Sequence, residues 1–516
     1  MNSRTRTYIA YRALEIFPGL MVWLTFAALF ALSFMRPLYA IYFIILFDLY
    51  WMLRISYLMT YVLISWSRFR KTSRIDWSQA LERDFGASAD KRWKDYWHII
   101  FLPTYKEPYA VIQASLSAIV SSTYGRKDRM LVVLAGEEQD REKFSVNAAR
   151  AKQEFGHRLH TLLTTLHPHG VPGELSGKGS NLYYAGHQAQ AYIDELGIEY
   201  KKIIVSTFDV DTVAHPQYFS HLTYQFLNHP NPYRASFQPL TLYHNNIWES
   251  DPLTRVVANS TTFWLLTDLA RSDRLFTFSS HSMSWQALVD IGFWQNNIVT
   301  EDSRIFLQCL VHYDGDYEVF PMYIPVSMNT VYMGSLFRSL VNQYKQMRRW
   351  AYGVEHFPYM VWHFAHNSRI PFKKKLTYIW NQTEGVYSWA TAPIIMFVGG
   401  RLPLIVSEAN RDTSFIAQQT PLILSTIMTG ALWGIIVIAI MSTLILPPKP
   451  MKGFRRIIQY AIMLLQWALF PITMIVFGAL PAIDAQTRLM IGKYLDFWVT
   501  EKRSESDSLE KSGMPV

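Results

Sequence analysis

Apolar runs stand near both ends of this chain, and a polar, alternating segment fills the space between them. Phe17 to Met35 forms a first run long enough to cross a bilayer, which takes ~20 residues. A second starts at Pro37 and reaches about Trp66, broken by Asp48 and Arg54. Such charges are costly in lipid and are expected to face a neighbouring helix or an interface. The first run is too long for a cleavable leader, lacks a small-residue cleavage site and is followed at once by another span. Toward the other end, residues 385–407, 419–446 and 457–481 predict three more spans, the first carrying Gly399, Gly400 and Arg401 at its centre. An amphipathic stretch from Lys373 through Glu384 precedes them and is expected to lie flat on the membrane surface. The pattern predicts five or six spans in all.

From about Asp95 to Pro325 the pattern changes to short β-branched runs separated by helical stretches. Strands are predicted at Tyr96–Leu102, Met130–Leu134, His160–Leu166 and Lys202–Phe208, with helices at 109–120, 138–156 and 179–196. This rhythm predicts a mostly parallel sheet covered on both faces. In such sheets ligands bind beyond the carboxyl ends of the strands.

Composition agrees with a membrane protein: of 516 residues, 50% are apolar and 15% aromatic. Arg4, Arg6 and Arg12 precede the first span, and Arg68, Arg70, Lys71 and Arg74 follow the second. The positive-inside rule then puts the amino terminus and the polar segment in the cytoplasm, with Lys449, Lys452, Arg455 and Arg456 on the same side. Lys493, Lys502 and Arg503 pull the tail that way too. These flanks account for the net charge of +9, so no nucleic-acid partner is implied. The single cysteine, Cys309, excludes an intrachain disulfide and reads as a small core residue. The last dozen residues, rich in Ser, Glu and Lys, read as disordered. The predicted division is a helix pair over 1–70, an α/β domain over 71–365, interfacial and membrane helices over 366–484, and a polar tail over 485–516.

Five short motifs fall at predicted strand ends or helix starts. Leu102-Pro103-Thr104-Tyr105-Lys106-Glu107-Pro108 closes the first strand, where the Tyr105 ring suits stacking on a base and Glu107 suits accepting from ribose or base; a plain strand-to-helix turn explains it equally well. Asp209-Val210-Asp211 ends the fourth, and residues two apart in a strand point the same way, so both carboxylates are expected at one site. Hard cations such as Mg²⁺ take oxygen ligands and bridge them to phosphates. Gly177-Lys178-Gly179-Ser180-Asn181 opens a helix, where backbone amides beside a lysine suit a phosphate; the order of a Walker loop is missing. Thr300-Glu301-Asp302 starts another helix, with Thr300 as expected N-cap and two acids in the first turn, where the dipole favours the ionised form that a general base needs. Gln346, Arg349 and Trp350 share one helix face; Arg349 suits a diphosphate and Trp350 a sugar ring, although an interfacial anchor would look alike. His215 reads as a turn or packing residue.

The Asp-x-Asp, Thr-Glu-Asp and Gln-x-x-Arg-Trp motifs, in this order and between membrane runs, resemble the membrane-embedded family 2 glycosyltransferases, which include cellulose, chitin and hyaluronan synthases. The resemblance implies a GT-A fold, a Rossmann-like mixed α/β sheet, in a cytosolic domain inserted between transmembrane helices. It implies that Asp209 contacts a nucleotide-sugar donor, usually a UDP-sugar, that Asp211 holds Mg²⁺ or Mn²⁺, and that Asp302 is the base, with Glu301 beside it. Lys178, Asn181, Gln346 and Arg349 are then donor contacts, joined by Tyr105, Glu107 and Glu137. Trp350 falls on the acceptor side, as do Ser280 and His281 in the loop Phe278-Ser279-Ser280-His281-Ser282. The chain departs from the family at the second strand, where Glu137 and Glu138 stand in place of paired aspartates. The implied function is an inverting, processive synthase of a β-linked polysaccharide in the plasma or inner membrane, exporting its product through its own helices. A single addition to a lipid or lipid-linked glycan is the alternative. A transporter or receptor with an inactive domain is a remote third, since every catalytic position holds a competent side chain.

Overall fold

The structure is a computed structural model that describes residues 3–87, 92–410, 414–447 and 453–495. Lys449, Lys452, Lys502, Arg503 and the tail predicted to be disordered lie outside the described residues.

Eight strands build one sheet in the order β3-β2-β1-β4-β7-β6-β8-β5: β1 Trp97–Pro103, β2 Met130–Glu137, β3 Thr161–His167, β4 Ile203–Thr207, β5 Val213–Ala214, β6 Ala235–Leu242, β7 Ser282–Ser284 and β8 Glu318–Ser327. The first four are parallel, as the alternation of strands and helices predicts. Period-2 alternation splits them between two cores. Ile99, Phe101, Leu131 and Val133 pack with Leu182, Ala185 and Ala189 of the helix Lys178–Glu195. Ile100, Leu102, Val132 and Leu134 pack on the opposite face with Ile112, Leu116, Phe219 and Leu222. The other half of the sheet departs from the predicted parallel order, because β7 runs antiparallel to both β4 and β6. Three-residue β7 is too short to leave a periodic signal, which is why the sequence pattern misses it. The resulting mixed α/β sheet between apolar helices is the GT-A arrangement implied by the resemblance.

Four helices among the described residues are long and apolar enough to cross a membrane: Arg6–Met35, Pro37–Thr72, Phe415–Ile445 and Phe454–Met490. The helix Phe372–Phe397 and the segment Gly399–Ala409 would make a fifth span, bent by 45°; no sixth appears among the described residues. The break falls at two glycines that neighbouring helices approach closely. A Cβ on Gly399 would lie 3.0 Å from Leu29 Cδ2, and one on Gly400 3.2 Å from Ile44 Cγ2. The stretch expected to lie flat on the membrane forms the first half of the helix Phe372–Phe397, and Lys374 Nζ docks it on the α/β domain by donating to the Gly315 carbonyl at 2.6 Å. The two charges of the second apolar run both turn inward as expected: Asp48 is buried, and Arg54 donates to Glu384 on the helix Phe372–Phe397 at 2.8 Å.

Candidate active site

A lysine ties the motifs together. Lys178 Nζ lies 2.6 Å from Asp209 Oδ1, 2.7 Å from Asp302 Oδ2 and 3.5 Å from Glu301 Oε1. Burial works against its ammonium, yet these three carboxylates outweigh it and hold the Lys178 pKa above its ordinary value. The approach depends on Gly179. A Cβ there would meet the Gln295 carbonyl oxygen at 2.9 Å and Glu301 Cβ at 3.3 Å, so only a glycine lets the starts of two helices, Lys178–Glu195 and Glu301–His312, come this close.

The two acids of Thr300-Glu301-Asp302 have unlike surroundings. Asp302 is half-buried and faces the cavity that Lys178 and Asp209 also line. Glu301 is 3% exposed, and burial, reinforced by the charge of Asp302, pushes its pKa up to about 8. The expectation that the helix dipole keeps it ionised fails because desolvation is the larger effect. Thr300 is the N-cap as expected, but its side chain makes no capping bond to the helix. It turns its backbone N–H and hydroxyl to Glu355 Oε1, at 3.2 and 2.5 Å. Behind it, Ser303 pairs with His356 Nε2 at 2.7 Å, and Arg304 Nε donates to His356 Nδ1 at 3.2 Å. Burial, with Arg304 adding, holds His356 well below its usual pKa, so the ring is neutral and can accept from arginine.

Asp209 and Asp211 lie in the loop after β4, two and four residues beyond its last residue Thr207, rather than in the strand. Asp209 points to Lys178; Asp211 is buried and accepts from the Asn329 N–H at 2.8 Å. Both line the cavity. Among the described residues no cluster of three or more His, Cys, Asp or Glu side chains is arranged to hold a metal.

Gln346, Arg349 and Trp350 line the same cavity from the helix Leu336–Ala351, on one face as their spacing predicts. Trp350 packs against Tyr243 at 5.9 Å between ring centroids. Tyr243, which no sequence motif flags, sits within the field of Asp209, Asp211 and Arg349; burial first, then those two acids, raises its pKa.

The remaining sites divide. Tyr105, Glu107, Glu137 and Asn181 line the cavity. Tyr105 donates from its hydroxyl to Gln139 at 3.1 Å. The Glu107 carboxylate closes its own turn, accepting from the Thr104 hydroxyl and the Tyr105 N–H, and burial raises its pKa to about 7. Glu137 pairs with His167 Nδ1 at 2.9 Å, and His167 with Glu174 at 2.9 Å. Asn181 is buried, donating to the Ala135 carbonyl at the end of β2 at 3.0 Å. Ser280 and His281 are not brought to the cavity: both are fully buried, Ser280 pairing with Thr212 at 3.0 Å and His281 Nδ1 with the Phe278 carbonyl at 2.9 Å. Their neighbours Phe278 and Ser279 take the lining positions. His215 accepts from Gln217 N–H at 3.2 Å in a turn, as expected.

The cavity, about 1910 Å³, is far larger than a nucleotide pocket needs and continues between the apolar helices, where Leu58, Met428, Ile435 and Phe470 line it.

The sequence profile of the glycosyl transferase family group 2 matches residues 204–480, from β4 into the apolar helices beyond the Gln-x-x-Arg-Trp motif. Solved structures with similarity to this chain include the following two. The mannosyltransferase PcManGT from Pyrobaculum calidifontis, in complex with GDP-Man and Mn²⁺, is 13% identical over 80% of this chain and 99% of that one, with a TM-score of 0.41. TarS 1–349 of S. aureus is 9% identical over 79% of this chain and 95% of that one, with a TM-score of 0.34. No curated protein matches.

Proposed function

The chain belongs to glycosyl transferase family group 2, and from that premise we propose that it moves a hexose from a nucleotide-sugar to a glycan acceptor with inversion at the anomeric carbon. The observation that carries this reading is Lys178, whose ammonium joins Asp209 and Asp302 in a cavity that Arg349 and Trp350 also line.

Asp302 accepts the proton of the acceptor hydroxyl; that oxygen attacks the anomeric carbon as its bond to the diphosphate breaks. An arriving diphosphate competes for Lys178 and releases the Asp302 carboxylate, so the base is freed as the donor seats. Lys178 and Arg349 then offset the charge that builds on the leaving group. Burial pushes the pKa of Glu301 up to about 8, which makes it less suited than Asp302 to be the base. Trp350 offers the acceptor ring a flat surface. Asp209 and Asp211 suit a Mg²⁺ or Mn²⁺ ion, since such sites need only one or two carboxylates when substrate phosphates complete the shell. A bound ion would supply further charge neutralisation at the diphosphate.

The continuation of the cavity between apolar helices supports a processive polysaccharide synthase that passes its product through its own membrane segments. Purified membranes incubated with a panel of labelled nucleotide-sugars should yield a ladder of products with one donor. A single added residue would replace this reading by transfer onto a lipid or lipid-linked glycan, and no transfer from any donor would overturn it.

A further inference from the structure

The cavity wall away from Lys178 carries charges that the transfer chemistry does not use. Arg54 on the helix Pro37–Thr72, Asp268 near the end of the helix Pro252–Leu269, Arg271 and Arg274 just beyond it, and Asn381 on the helix Phe372–Phe397 all line it. Glu384 lies behind them, accepting from Arg54 at 2.8 Å and standing 3.7 Å from Arg274. Arg271 is held over the rings of Tyr57 and Tyr61, at 5.2 and 5.8 Å from their centroids. Three guanidinium groups thus face two carboxylates, with Asp273 exposed and outside the lining.

The unmet hydrogen bonds have one sign. Arg54 Nε, Arg271 Nε and Asn381 Nδ2 are buried donors with no acceptor, whereas neither Asp268 nor Glu384 has a buried oxygen left unpartnered. Buried donors without acceptors are costly, and an anion meets several at once. The helix Pro252–Leu269 gives the spacing. Val257 packs with Trp350 at one end, and Asp268 lies eleven residues further on, which at 1.5 Å rise per residue is about 16 Å.

We propose that Arg54, Arg271 and Arg274 form an anion subsite that holds a phosphate or carboxylate of the acceptor about 16 Å from the Trp350 face. It rests on the cavity being the acceptor's path, and it makes the acceptor acidic rather than a neutral sugar chain. A lipid phosphate and an acidic glycan share this chemistry; Arg54 sits midway along an apolar helix, where either would pass.

The test uses the full chain in phosphatidylcholine nanodiscs and four probes: dodecyl phosphate, dodecanol, an oligogalacturonate and a cello-oligosaccharide of equal length. At least one acidic probe should bind about tenfold more tightly than its neutral partner. Arg271→Gln should remove most of that preference and Arg271→Lys should keep much of it. The acid that wins identifies the source as lipid phosphate or acidic glycan. Equal binding of acidic and neutral probes, or an undiminished preference in Arg271→Gln, overturns the subsite. UDP binding to the wild-type chain is read separately: its failure counts against the donor reading and leaves the acid-to-neutral comparison intact.

Discussion

Gly179 and Glu301 start two helices that meet almost without side chains between them: a Cβ on Gly179 would lie 3.3 Å from Glu301 Cβ and 2.9 Å from the Gln295 carbonyl oxygen. Backbone cannot yield as a flexible side chain does, so Gly179→Ala must push the helices apart. Thermal unfolding should show a loss of about 1–3 kcal/mol. Because the displacement falls between Lys178 and Asp302, turnover should drop by more than the folded fraction does. A variant of normal stability and normal kcat would show that this approach is not needed.

Asp302 and Glu301 are adjacent yet should respond differently to loss of charge. Asp302→Asn removes the proton acceptor and should lower kcat by about 10²–10⁴-fold, with nucleotide binding retained in an equilibrium titration. Glu301→Gln resembles the protonated form that burial already favours and should cost less than about tenfold. Equal losses in the two variants would remove the assignment of Asp302 as base.

Glu301 also gives stability a pH dependence. Its folded pKa of about 8 lies above the ordinary carboxyl value of 4.5, so the folded state holds a proton that the unfolded state has released. This contribution is full below the unfolded value and fades as pH rises through the folded one. Between pH 4.5 and 8 the wild-type melting temperature should therefore fall relative to that of Glu301→Gln, which cannot release a proton. Parallel pH profiles for the two proteins would contradict it.

Much of this was readable from the chain. The parallel strands β1, β2 and β4 announce themselves because each is buried on both faces, and the Gln346, Arg349 and Trp350 face follows from helical spacing alone. What stayed hidden depended on distance in three dimensions. Nothing near Lys178 in sequence signals that its ammonium joins Asp209 and Asp302, thirty-one and one hundred and twenty-four residues away. The burial that neutralises Glu301 comes from packing, whereas a sequence shows only its place in a first turn. The acceptor loop illustrates the finest error: Phe278 and Ser279 reach the cavity while Ser280 and His281, one step on, are fully buried. Ser280 has φ 68, and this left-handed turn reverses which side chains face inward.

Chelation tests the two loop carboxylates. With EDTA present transfer should stop, and added Mg²⁺ or Mn²⁺ should restore it. Asp211→Asn keeps an oxygen to accept from the Asn329 N–H, so the loop should stay folded while more metal is needed for half-maximal rate. Full activity in EDTA would remove the metal role of Asp211.

Glu355 anchors Thr300, the N-cap of the helix Glu301–His312, from outside the helix. Its Oε1 accepts from both the N–H and the hydroxyl of Thr300, at 3.2 and 2.5 Å, just before Asp302. Burial raises the pKa of Glu355, Arg304 opposes that, and Thr300 adds two bonds that favour the carboxylate. Removing it leaves two part-buried donors on Thr300 without this acceptor, so Glu355→Ala should cost about 2–4 kcal/mol. Glu355→Gln keeps an acceptor oxygen and should cost less than half as much, about 1–2 kcal/mol. If Glu355 acts by positioning Asp302, the glutamine variant should lose kcat with KM nearly unchanged, because the donor and acceptor walls stay as they are. A variant with normal kcat and altered KM would instead make Glu355 a part of the binding surface, and the helix start would owe its placement to Gly179 and Lys178 alone.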